Sequence, residues 1–97
     1  MKHRARILHL LDLYAANWAL FLKSRDTDLV ARLRADFDAI HTSQSEHLPA
    51  GSPQVLELLL AHEALAQAVI SATPQAPMDL LHQAFLDALK DFRSALI

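Results

Sequence analysis

The residues of this chain best placed to do chemistry are its six histidines, and what each could do depends on its neighbours. His62 holds the most informative position. At 100° per residue it falls in the middle of an apolar helical face, between Leu58/Leu59 and Leu65/Ala66. A buried imidazole needs a hydrogen-bond partner, and burial disfavours its charged form. Such a residue can touch a ligand, bind a metal or switch with pH. The simpler reading is a core histidine bonded to a tyrosine or a backbone carbonyl. Tyr14, on the inner face of the first helix, is the tyrosine placed to serve it. His82, at the edge of the fourth helix's apolar face, could approach it too. His62, Tyr14 and His82 are therefore the candidate ligand-binding residues.

Other reactive patterns are incomplete. His62-Glu63 begins like a zincin motif, but Ala66 stands where the second imidazole is needed, one turn on. Glu46 and His47 are adjacent, so the Glu-x-x-His spacing of di-iron bundles is not met there. His3, His9, His41 and His47 read as surface or loop residues. No metal site and no cofactor is expected. The chain has no cysteine and no serine in a nucleophile elbow; Ser43, Ser45 and Ser52 sit in a linker, as turn and cap residues do. With Gly51 the single glycine, no glycine-rich phosphate cradle can form. Asp36 is the one carboxylate bordering an apolar stripe, and Arg32 can neutralise it. These patterns predict a protein that is not an enzyme.

The elements that would carry these residues are helices. The chain has 97 residues, of which 53% are hydrophobic, with alanine and leucine dominant and β-branched residues scattered. The pattern predicts helices over about 2–23, 28–42, 53–72 and 78–97, with a linker at 43–52. Asp26 or Thr27 is placed to cap the second helix. Ser52-Pro53 is a cap-then-proline start for the third. The fourth could begin as early as Pro74, since proline is tolerated in an unbonded first turn. Short turns make neighbours antiparallel. The predicted fold is all-α, a four-helix bundle-like single domain built from two antiparallel helical hairpins.

Charge narrows the range of partners. The formal net charge is −2, but residues 1–25 are basic, through Lys2, Arg4, Arg6, Lys23 and Arg25 against Asp12. A small regulator contacting nucleic acid through this basic start is one alternative. No basic stripe with interleaved aromatics follows it, so nucleic acid is not the expected partner. The basic start loosely imitates a signal peptide, yet His9, Asp12 and Asn17 interrupt the apolar run and no small-x-small cleavage site follows. No segment has the roughly 18 uninterrupted apolar residues of a membrane span. A soluble, cytoplasmic protein without membrane contact is the expectation.

What remains is surplus apolar surface. On helix 1, Ile7, Leu10, Leu11, Tyr14, Trp18, Phe21 and Leu22 form a broad inner face. Leu13 and Leu20 fall outside it, on a second patch. On helix 3, Val55, Leu58, Leu59, Leu65, Ala66, Val69 and Ile70 form the main face, and Leu56 and Leu60 lie to one side. A helix apolar on two sides is either central to its own domain or shared with a partner. Leu13, Leu20, Leu56 and Leu60 are thus the candidate partner-binding residues, and a homodimer is the simplest cover for them.

The stretch Leu10-Leu11-Asp12-Leu13-Tyr14 through Asp26-Thr27-Asp28-Leu29 resembles the first hairpin of small flagellar export chaperones of the FliT kind. The resemblance covers about the first 40 residues and consists of spacing. Thr27 stands about where that family often has a tryptophan. It implies a short α-helical protein that holds export substrates by helix packing. This is one option within the functional class that the sequence suggests, a protein-interaction module of adaptor or chaperone-like character. The rival from another class is a ligand- or metal-binding bundle centred on His62.

Overall fold

The computed structural model describes residues 2–44, 48 and 51–96, with side chains from residue 5 onward. Ser45, Glu46, His47, Pro49 and Ala50 of the predicted linker, together with the side chains of Lys2, His3 and Arg4, lie outside what it describes. Among the described residues all regular structure is helical: α1 (Lys2–Ser24), α2 (Leu29–Gln44), α3 (Pro53–Ile70) and α4 (Gln75–Ala95). The α1 and α2 helices pack together, as do α3 and α4. The chain divides into two compact units, Met1–His47 and Leu48–Ile97, one hairpin in each. Within each unit a four-residue connection joins two packed helices, which turns the second helix antiparallel to the first.

The helix ends are set by backbone chemistry that differs in detail from the predicted bounds. Helix α1 stops one residue later than expected, because Arg25 takes a left-handed φ of 57° and its N–H bonds the carbonyl of Phe21 at 2.7 Å. That single bond is an αL stop. Asp26 then caps α2, with its Oδ1 accepting from the N–H of Asp28 at 3.0 Å. The N–H of Leu29 bonds the carbonyl of Asp26 at 3.0 Å, a tight first turn that brings the chain into the helix. Helix α2 then runs on to Gln44, two residues into the predicted linker, and Gln44 is buried.

Helix α3 begins at Pro53 as expected, with Ser52 in extended conformation at the cap position. It ends at Ile70, two residues short of the predicted end. Ala72 has a φ of 52°, its N–H bonds the carbonyl of Val69 at 3.2 Å, and the N–H of Thr73 bonds that of Ala68 at 3.0 Å. This crossed pair is a Schellman stop, with alanine at the position that favours glycine. Helix α4 takes the earlier of its possible starts. The N–H of Met78 closes the first turn onto the carbonyl of Pro74 at 3.2 Å. Pro77 lies within that turn, where its missing N–H has no intrahelical partner to lose. The helix ends at Ala95, two residues before the predicted end, with the Leu96 N–H bonding the carbonyl of Arg93 at 3.2 Å.

The core of the first unit is aromatic. Tyr14, Trp18 and Phe21 on α1 and Phe37 on α2 are all buried. Tyr14 meets Trp18 edge-on at 6.5 Å between ring centroids, Trp18 meets Phe21 at 5.6 Å, and Tyr14 meets Phe37 across the hairpin at 6.4 Å. Such arrangements contribute about 0.5–1.5 kcal/mol per pair beyond buried area. Ile7, Leu11, Leu33 and Ile40 are buried beside them. At the margin of this core Asn17 Nδ2 donates to Asp36 Oδ2 at 2.7 Å, tying α1 to α2. The other oxygen of Asp36 lies 3.5 Å from Arg32 Nε, the i,i+4 pairing predicted for it.

The second unit buries aliphatic side chains from α3 and larger ones from α4. Val55, Leu58, Leu65, Ala66, Ala68 and Val69 are buried on α3, as are Met78, Phe85, Ala88 and Phe92 on α4. Ile70 departs from the reading that placed it on the main apolar face. It is 47% exposed. Fourteen residues after Leu56, it returns to within about 40° of that residue, on the outer stripe.

Candidate interaction surface

The four leucines singled out by helical position all stand in solvent: Leu13 is 47% exposed, Leu20 52%, Leu56 45% and Leu60 67%. Leu13 and Leu20 are two turns apart on α1. Between them Asn17 is held by its bond to Asp36, so the patch sits on a helix face whose neighbouring polar group is already engaged. The exposed Ala16 lies on the same side. Leu56 and Leu60 are one turn apart on α3, and Ile70 extends their stripe to the last turn, with Glu63 and Gln67 between. A leucine half out of water leaves apolar area that association can remove, at roughly 25 cal/mol per Å² covered.

Two further exposed leucines were missed by the sequence reading. Leu80 is 76% exposed and Leu86 43% exposed, both on α4. The signal for Leu80 was present. It lies seven residues before Asp87, on the helix's polar side, where a leucine has nothing of its own element to cover it. Leu86 lies on neither the polar nor the core meridian of α4, so a one-sided reading of that helix passes over it.

The residues of the ligand-binding reading are placed differently. Tyr14 is fully buried in the first unit among Trp18 and Phe37. Burial pushes its phenol well above the ordinary tyrosine range, with the nearby carboxylate of Asp36 adding to the shift and Trp18 and Arg34 opposing it. His62 is 3% exposed on the apolar face of α3, as its position implied, and has an interaction partner. His82 is half-buried on α4, in the same hairpin as His62. Elsewhere the imidazole of His41 stacks on Phe37 at 6.4 Å, and the Arg34 guanidinium lies 5.8 Å from the Phe37 ring on the same helix. No spacing argument singled out this row of Arg34, Phe37 and His41.

An open cleft of about 440 Å³ lies where the start of α3 meets the end of α4, lined by Pro53, Gln54, Glu57, Asp91, Ser94 and Ala95. Glu57 and Asp91 set two carboxylates into its lining beside Gln54, Ser94, Pro53 and Ala95. Among the described residues no group of three or more histidine, aspartate or glutamate side chains is placed to hold a metal ion. None of the described helices is long and apolar enough to cross a membrane. The chain was compared with protein-family models, curated proteins and solved structures, and none of them matches it.

Proposed function

We propose that this chain is a non-enzymatic helical protein-interaction module, adaptor or chaperone-like in character. The observation that carries the reading is the exposure of Leu13 and Leu20 on α1 and of Leu56 and Leu60 on α3. Each pair is aligned on one face of a helix whose opposite face is already occupied by core. Aligned apolar residues on the outside of a helix are what helix-on-helix and helix-in-groove contacts use. Ile70 on α3 enlarges the second of these faces.

Affinity capture from native lysate with the wild-type chain and two paired variants, Leu13→Asp/Leu20→Asp and Leu56→Asp/Leu60→Asp, tests the reading. A protein retained in stoichiometric amount by the wild type, and lost with at least one variant that keeps its helicity, supports it. Retention of a metal or small molecule and no protein, released by His62→Ala, would replace it with the ligand-binding reading.

A further inference from the structure

We propose that the exposed α1 face is covered by α1 of a second copy of this chain, packed antiparallel about a two-fold axis near Ala16 and Asn17. This rests on the reading of the exposed leucines as interaction surface and names the occupant of one of the two faces. Three features of α1 point to it.

The first is apolar register. Leu13 and Leu20 are seven residues apart and lie within about 20° of each other around the helix. The midpoint between them falls between Ala16 and Asn17. A two-fold axis there brings Leu13 against Leu20 of the second copy, and Leu20 against its Leu13, in a self-complementary contact. The second is room. Ala16, at the axis, is small and exposed, which allows the two backbones to approach.

The third is charge. Asp12 and Lys23 are both exposed. They are eleven residues apart, so they too lie within about 20° of each other, on one flank of the leucine patch. Antiparallel symmetry sets that flank against the same flank of the second copy. Asp12 then comes level with Lys23 of the other chain to within about 3 Å along the axis, at 1.5 Å rise per residue. The pairing occurs twice. A parallel two-fold arrangement instead sets this flank against the opposite flank of the second copy, where Asp12 and Lys23 do not meet, so the charge pairing favours the antiparallel one. On α3 the pattern has the opposite sense. A two-fold contact that uses both Leu56 and Ile70 centres on Glu63 and brings that carboxylate onto its own copy. The α3 face is thereby left for a different protein.

The test uses the full chain. Sedimentation velocity from micromolar to submillimolar concentration is expected to show a monomer–dimer equilibrium. The natural sequence has no cysteine, so Ala16→Cys is expected to form an oxidised dimer rapidly, and Gln67→Cys on α3 to form little. Asp12→Lys and Lys23→Asp are each expected to weaken dimerisation roughly tenfold, because each reversal acts twice across the axis. The double variant Asp12→Lys/Lys23→Asp is expected to restore it, with circular dichroism verifying that helicity is retained throughout. A chain that stays monomeric, a dimer that cross-links through Gln67→Cys and not Ala16→Cys, or a double variant no better than the singles would overturn the proposal. A monomeric chain that still loses a captured protein on Leu56→Asp/Leu60→Asp defeats only this inference. Failure of every leucine variant to change either self-association or capture defeats the interaction reading as well.

Discussion

Tyr14 is the chain's sole tyrosine, so its protonation state can be read directly from tyrosinate absorbance. The phenol is buried and its ionisation is pushed well upward, which makes an acid whose neutral form the folded state prefers. Below the ordinary tyrosine value of about 10 the phenol is neutral in both folded and unfolded chains, and pH does not act through it. Above about 10 the unfolded chain gives up the proton and the folded chain keeps it, so stability falls by about 1.4 kcal/mol per pH unit. The expected result is that tyrosinate appears together with loss of helicity, both above pH 10. Ionisation near pH 10 with helicity intact would mean that the phenol reaches solvent without unfolding. At this scale the sequence was informative about burial and less so about partners. The positions of Tyr14, Trp18 and His62 on apolar faces foretold their burial, because side-chain direction follows from helical period alone. Which groups each one touches depends on the packing of other elements, and no spacing within one helix encodes that.

The faces of single helices were legible for the same reason, and their C-terminal stops were not. Most of the inner residues of α1 are buried, as are Leu33, Phe37 and Ile40 of α2 and Phe85, Ala88 and Phe92 of α4, each set spaced at the helical period. The outward position of Leu13, Leu20, Leu56 and Leu60 follows from the same arithmetic. The stops of α1 and α3, however, rest on arginine and alanine in left-handed conformation, residue types that give no stop signal. A glycine there would have announced both. That discrepancy is testable at Ala72. Left-handed backbone costs a non-glycine residue roughly 1–2 kcal/mol, and glycine returns part of that through its freer unfolded chain. Ala72→Gly is therefore expected to stabilise the protein by about 0.5–1 kcal/mol in denaturant unfolding. Ala39→Gly, at an exposed position inside α2, is expected to destabilise it by about 1 kcal/mol. Two changes of the same chemistry should thus move stability in opposite directions. If both destabilise alike, the conformation at Ala72 is not the one that ends α3.

Across the whole molecule, exposed apolar side chains combine with a small net charge. Among the described residues seven large hydrophobic side chains stand at least 43% exposed, while the formal charge is only −2 and the isoelectric point is near 6.3. Charge repulsion that would keep such surfaces apart is therefore weak at neutral pH and vanishes slightly below it. Association through leucine faces should accordingly be strongest close to pH 6.3, with light scattering rising there and falling on either side. Leu60→Glu combined with Leu80→Glu removes the two most exposed of the seven and takes the formal charge from −2 to about −4. Neither leucine belongs to the core, so folding stability should change by no more than about 0.5 kcal/mol per site. Solubility at pH 6.3 should nonetheless rise several-fold, and the scattering maximum should move to lower pH. The two variants leave the α1 face intact, so the concentration dependence of the α1 dimer should persist in them. If scattering at pH 6.3 is unchanged while helicity is retained, the surfaces that drive association are not those of Leu60 and Leu80. The α1 patch is then the first alternative to examine, through Leu13→Glu/Leu20→Glu.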